Sequence, residues 1–130
     1  MSAPVLFAKA DLSRLKKIRG VCFDIDDTFS SHGKITAEAF EALWRLKNAG
    51  YVLVPVTGRP AGWCDHIARF WPVDAVVGEN GAFIYYLDEE MRRRSILPPG
   101  TDVESAVKKS ELIKKILARF PEAKFASDQL

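Results

Sequence analysis

Three short runs of strand-forming residues, spaced by helical patterns, constrain this chain more than any other feature. They are Gly20-Val21-Cys22-Phe23-Asp24-Ile25, Tyr51-Val52-Leu53-Val54-Pro55-Val56 and Asp74-Ala75-Val76-Val77. Nearly unbroken apolar character predicts strands covered on both faces, the situation of a parallel sheet with helices on either side. The segments between them agree. Over residues 36–49, Thr36 stands as N-cap, Glu38 lies in the first turn, Phe40, Leu43 and Lys47 share a face with Trp44, and Gly50 takes the C′ position. A second helix opens at Pro60, near N1, and runs to about Phe70, before Pro72 stops it. The order βαβαβ predicts a Rossmann-like α/β fold with right-handed crossovers. Pro55 donates no ladder hydrogen bond, so it belongs at a strand end or a bulge.

Beyond Gly81 the pattern changes. Residues 82–87 and 91–97 read as a β-hairpin across Asp88-Glu89-Glu90, and Pro98-Pro99-Gly100 is a break. Thr101 or Asp102 then caps a long amphipathic helix with Val103, Ala106, Val107, Ser110, Ile113, Leu117 and Phe120 on one stripe, ended by Pro121. Residues 123–127 have the character of a further strand's beginning.

Composition sets the outer bounds. A chain of 130 residues supports one core. With 48% apolar residues it is not a disordered chain. Nineteen basic against seventeen acidic residues leave a net charge of +2, too mild to argue for a nucleic-acid partner. Cys22 and Cys64 form no CxxC pair and no disulfide framework. No run approaches the roughly 20 apolar residues of a membrane helix. Residues 1–10 lack the pattern of a signal peptide. The expectation is a reducing, cytoplasmic setting without a membrane partner.

Chemistry concentrates where the first two strands end. Asp24, Asp26 and Asp27 crowd the end of an apolar strand, in Asp24-Ile25-Asp26-Asp27-Thr28. In extended geometry Asp24 and Asp26 point the same way. Two carboxylates held together do not both ionise cheaply, and a divalent metal or a retained proton resolves the conflict. A metal would keep Asp24 ionised and nucleophilic, while a partly protonated Asp26 would serve as general acid and then base. The plainer reading is an acidic turn capped by Asp27 or Thr28. Val56-Thr57-Gly58-Arg59-Pro60 ends the second strand where a helix begins. The Thr57 hydroxyl, backbone N–H groups freed by Gly58, and the helix N-terminus suit a phosphate. Arg59 suits either that phosphate or an acid nearby. Both loops leave the same sheet edge, where ligands of open α/β folds bind.

Residues 21–28, with Asp24-x-Asp26-x-Thr28 after an apolar strand, resemble the first motif of the haloacid dehalogenase-like (HAD) phosphohydrolases. Thr57-Gly58-Arg59 resembles the second motif. Val77-Gly78-Glu79-Asn80-Gly81-Ala82 is similar to the segment that precedes a large inserted cap in the branch holding sugar-phosphate phosphatases and phosphomannomutases. The resemblance covers residues 18–97. It implies a Mg²⁺-dependent hydrolase of a small phosphorylated metabolite, with a sugar phosphate as the leading substrate. Asp24 would be the nucleophile that forms an aspartyl-phosphate, and Asp26 the acid and base. Both would be metal ligands, Asp26 through its main-chain carbonyl. Thr57, Gly58 and Arg59 would bind phosphate, and Asn80 would line the substrate site. Residues 1–97 then form an incomplete HAD core, a mostly parallel sheet with flanking helices and a β-hairpin, and residues 98–130 begin a cap.

The family's third-motif Lys or Arg and its fourth-motif acidic pair have no counterpart here. Lys108, Lys109, Lys114 and Lys115 read as a solvated helix face. One lost electrostatic contact at a transferring phosphoryl group costs on the order of 3 kcal/mol, so this portion alone is expected to turn over weakly or not at all. Two other readings stand beside this one. An incomplete sheet exposes an edge, which suits a non-catalytic remnant or an oligomerising module. A phospho-receiver domain would need an acceptor Asp after the third strand, where Gly78-Glu79-Asn80 stands instead. Cys22 is assigned to the core, Cys64 to a helix without a catalytic role, His32 to a surface loop, His66 to a helix surface, Trp44, Trp63 and Trp71 to core or interface, and Arg92-Arg93-Arg94 to a solvated strand face.

Overall fold

The computed structural model describes residue 13, residues 17–101 and residues 103–124. The side chains of residues 103–106 fall outside that description, so Val103, Ala106 and a cap at Asp102 do too. The strand expected to begin near 123 lies mostly outside it, from residue 125 onward.

Strand β1 spans Gly20–Phe23, helix α1 Ala37–Asn48, and strand β2 Val52–Pro55. Helix α2 spans Ala61–Phe70, strand β3 Val76–Gly78, strands β4 and β5 Phe83–Leu87 and Arg93–Ile96, and helix α3 Val103–Arg119. β1 and β2 pair in parallel with Phe23 opposite Pro55. A parallel bridge from Val56 to Val77 joins β2 to β3. β3, β4 and β5 then pair antiparallel, with Gly78 opposite Phe83. The predicted α/β fold and hairpin are present, but only the β1-β2-β3 side is parallel. Among the described residues β1 pairs with β2 alone.

Local chemistry accounts for the element ends. The Thr36 side chain accepts a hydrogen bond from the Ala39 N–H at 3.2 Å, as an N-cap does. Gly50 has φ +84°, the left-handed region glycine enters freely. Pro60 is the N-cap of α2 rather than its first residue. Trp44, expected on the α1 face shared with Leu43, is exposed, while Leu43 is buried. The α3 stripe is also open: Val107, Leu117 and Phe120 are exposed.

Pro55 is tolerated inside the sheet for a definite reason. The N–H groups of Val52 and Val56 donate to the carbonyls of Arg19 and Phe23, so even-numbered residues of β2 face β1. By alternation, Leu53, Pro55 and Thr57 face β3. The Leu53 N–H donates to the Asp74 carboxylate at 2.8 Å, and the Thr57 N–H to the Val77 carbonyl. The ladder between β2 and β3 is therefore only one bridge long, and no donor is required at position 55.

Asp74 accepts from Leu53 through one carboxylate oxygen and from Lys47 Nζ, at 2.5 Å, through the other. It thus ties α1 to the β2–β3 seam, and it replaces the main-chain acceptor that β3 does not provide. Asp74→Ala leaves the N–H of the buried Leu53 unpaired. The expected loss is about 1–3 kcal/mol of unfolding free energy, read as a lower urea midpoint with an unchanged slope. An unchanged midpoint would mean that water serves Leu53 equally well.

The core lies under α2. Cys64, Ile67 and Ala68 of that helix bury against Val76, Phe83 and Tyr85. The Phe83 and Tyr85 rings lie 4.2 Å apart between centroids. This packing fixes α2 over β3 and β4, and so fixes the turn that precedes α2.

Candidate functional site

The site is built at the carboxyl ends of β1 and β2. The register places Phe23 beside Pro55, and the Val56 N–H donates to the Phe23 carbonyl at 2.8 Å. Asp24 and Thr57, one or two residues beyond that pair, therefore leave the same edge of the sheet. Opposite edges would have excluded a shared pocket.

β1 stops at Phe23, two residues sooner than expected. Asp24 stays extended, at φ −82° and ψ 156°. The chain then makes one wide turn over Ile25–Phe29, closed by the Ser30 N–H donating to the Ile25 carbonyl at 2.8 Å. Ile25 is buried beneath this turn, and Asp24 and Asp26 are both exposed. Burying the intervening residue turns the two acids outward together, as strand alternation predicts. Asp27 takes a left-handed backbone, φ 56°.

The acids have separate partners. Asp24 accepts a hydrogen bond from the Thr28 hydroxyl at 2.9 Å. Asp26 takes both donors of the Arg59 fork, Nη2 at 2.6 Å and Nε at 3.1 Å. That hydrogen bonding, aided by the guanidinium charge, holds the Asp26 carboxyl below the usual carboxylate range, against the opposing effect of burial. The expectation of a partly protonated Asp26 is thereby corrected, because the guanidinium stabilises the charged form. Of the two roles open to Arg59, the structure shows the ion pair. Its guanidinium also lies over the Trp63 ring, 4.7 Å from the centroid.

The sign of the pH effect follows. A carboxyl with a lowered folded pKa stabilises the fold above its unfolded value, near 3.9, and that contribution is lost as pH falls through the lower folded value. The pair is partly exposed, so it contributes only about 0–1 kcal/mol. A carboxyl-carbon NMR titration is expected to place the Asp26 midpoint lower in the native chain than in Arg59→Ala. Coincident midpoints would show that the pair does not persist in solution.

The second turn is more enclosed than its sequence suggests. Thr57 is only 2% exposed, and its hydroxyl accepts the Arg59 N–H at 3.1 Å while keeping its own proton to donate. Gly58 faces Asn80: a Cβ there would come 3.1 Å from Asn80 Oδ1. Asn80 itself has φ 57°, a conformation Asn tolerates, and its N–H donates to the Thr57 carbonyl. Thr57, Gly58, Arg59 and Asn80 thus form one packed unit. The N-terminus of α2, expected to be free for an anion, already receives one. The Ala61 N–H donates to the Glu79 carboxylate at 3.3 Å, and the Glu79 N–H to the Arg59 carbonyl. Sequence reasoning missed Glu79 in this role, since nothing in Gly78-Glu79-Asn80 announces which way a side chain at φ 46° turns.

Magnesium prefers carboxylate oxygens, waters and substrate phosphates, with one or two carboxylates sufficing. Asp24 and the main chain of Asp26 match that donor chemistry, but both carboxylate oxygens of Asp26 are engaged by Arg59. Among the described residues no group of three or more His, Cys, Asp or Glu could hold a metal ion. The residues present fit part of a Mg²⁺ site. No helix among them is long and apolar enough to cross a membrane.

Residues 21–124 match the family described as haloacid dehalogenase-like hydrolase. No curated protein sequence matches the chain. Among solved structures, a hypothetical protein from Geobacillus kaustophilus HTA426 is 23% identical, with a TM-score of 0.55 over 75% of this chain and 37% of that one. A HAD-superfamily phosphatase from Bacteroides thetaiotaomicron is 22% identical, with a TM-score of 0.54 over 89% and 40%. A haloacid dehalogenase-like hydrolase from B. subtilis is 24% identical, with a TM-score of 0.53 over 75% and 34%. The chain therefore spans between a third and two fifths of the length of these structures, and the likeness is one of fold.

Proposed function

Because the chain belongs to the haloacid dehalogenase-like hydrolases, we propose that it carries the nucleophile half of a Mg²⁺-dependent phosphomonoester hydrolase acting on a small phosphorylated metabolite. The observation that supports this reading is the shared sheet edge of Asp24 and Thr57, fixed by the Phe23–Pro55 register. An exposed carboxylate, a hydroxyl with its own proton to donate and a glycine turn leave that one edge.

In this reading the Asp24 carboxylate attacks phosphorus as the bond to the leaving oxygen breaks, giving an aspartyl-phosphate. The leaving oxygen takes a proton from Asp26. Asp26 then removes a proton from water, whose oxygen attacks phosphorus and frees Asp24. Thr57 donates to a phosphoryl oxygen. Asp24 and the Asp26 carbonyl would hold Mg²⁺ with ligands from elsewhere, and the ion would neutralise phosphoryl charge. Arg59 favours the ionised Asp26 that the water step needs. The first step needs that carboxyl protonated, so the ion pair must open there.

Titration with inorganic phosphate, followed by backbone amide NMR, tests the binding half of the proposal. Shifts confined to residues 57–61 and 79–80 are expected at millimolar phosphate. Shifts absent there, or spread over the basic α3 instead, would remove the phosphate site.

A further inference from the structure

Beside Asp26 the fold leaves a pocket of about 300 Å³ whose walls include Ile25, Ser30, Trp63, Ile67 and Trp71. It lies between the loop after β1 and the Trp63–Ile67 side of α2, and Asp26, the carboxylate proposed to protonate the leaving group, is in its wall. Its floor is fixed: Ile25 and Ile67 are buried, and Trp71 packs against Phe29 and Phe40 with ring centroids 5.7 and 5.9 Å away. Its rim is not. Trp63 is 50% exposed, although Arg59 already lies over its ring. The half of the indole that Arg59 leaves in water, at the mouth of a mainly apolar pocket, offers contact area for a ligand.

The polar inventory of the pocket is short. Asp26 and Arg59 are engaged with each other. The buried Ser30 hydroxyl accepts weakly from the Asp27 N–H at 3.4 Å and has its own proton to give. A sugar ring would bring several hydroxyls, each needing a partner once desolvated, whereas the side chains of the pocket offer the Ser30 hydroxyl and those edges of Arg59 and Asp26 not already turned to each other. A flat apolar ring needs none and gains aromatic contact with Trp63 and Trp71. From this match we infer that the pocket seats an aromatic leaving group, so that the preferred substrates are aryl phosphates rather than sugar phosphates. The inference rests on the hydrolase reading above for the position of the phosphate, but not for the ring's own binding.

Three probes separate the two. Phenol, phenyl phosphate and glucose 6-phosphate are titrated into the full chain while the three tryptophan indole N–H signals are followed by NMR. Trp44, on α1 and away from this pocket, serves as the internal control. Phenol and phenyl phosphate are expected to move the Trp63 signal and not that of Trp44. Phenyl phosphate should bind about tenfold more tightly than glucose 6-phosphate, and Trp63→Leu should reduce that preference about three- to tenfold. Equal affinities for the two esters with an unmoved Trp63 overturn the aromatic pocket, even where amides at 57–59 respond to phosphate. A Trp63 response to phenol with no phosphate response at 57–59 upholds the pocket and removes the hydrolase reading instead.

Discussion

Replacing Phe83 by alanine is expected to cost about 3–5 kcal/mol of unfolding free energy, the range for a buried aromatic ring. Phe83 is 1% exposed and stacks on Tyr85. Its position is also held from the neighbouring strand. Gly78, its partner across the β3–β4 ladder, presents no side chain, and a Cβ there would fall 2.3 Å from the Phe83 ring and 2.7 Å from the Cys64 sulfur. The ring therefore fills the space that glycine leaves and meets α2 through it. A cavity at this point loosens β3, β4 and α2 together. Domains of this size are stable by only about 5–15 kcal/mol, so the variant stands near the edge of folding. Urea unfolding followed by circular dichroism provides the measurement. A loss under about 1 kcal/mol would show that β4 is not part of the cooperative core, because a rigid core does not absorb a deleted ring so cheaply.

Phe83 and Gly78 also show what the sequence reveals. Both lie in segments whose type was legible: the βαβαβ order, the hairpin after Gly81 and the capped helix at Thr36 follow from periodicity and capping chemistry, which act over a few residues. The pairing of Gly78 with Phe83 depends on register, which only the folded hairpin supplies. Asp74 is a similar case. A polar residue at the head of a strand looks like a boundary, yet here it stands in for a missing ladder acceptor. In the site, Asp24, Thr57 and their shared edge were visible because strand order and alternation dictate them. The Arg59–Asp26 pair was one of two open roles, since a guanidinium suits a carboxylate and a phosphate alike. Glu79 at the start of α2 was invisible, because its direction depends on two successive left-handed residues, Glu79 and Asn80. Trp63, assigned to core or interface by its type, is placed at a pocket rim only by the turn that sets α2.

Asp24→Asn is expected to bring p-nitrophenyl phosphate hydrolysis with Mg²⁺ down from the weak turnover expected of this chain to the uncatalysed rate. The substitution is nearly isosteric, and the Thr28 hydroxyl, which donates to Asp24 at 2.9 Å, can still donate to the amide oxygen. The fold should therefore survive, and the nucleophilic charge alone should be lost. Asp26→Asn separates the two carboxylates. Nitrophenolate leaves readily without a proton, so attack by Asp24 still proceeds, while water attack on the aspartyl-phosphate loses its base. The expected signature is a burst of up to one equivalent of nitrophenolate with little turnover afterwards. Asp24→Asn should show neither burst nor turnover. Arg59→Ala makes the argument sharper: it frees the Asp26 carboxylate of both hydrogen bonds, raises its pKa, and should favour the protonated form that natural, poorer leaving groups require. Undiminished hydrolysis by Asp24→Asn would place the reacting group elsewhere, and the shared edge of β1 and β2 would then be architecture without chemistry.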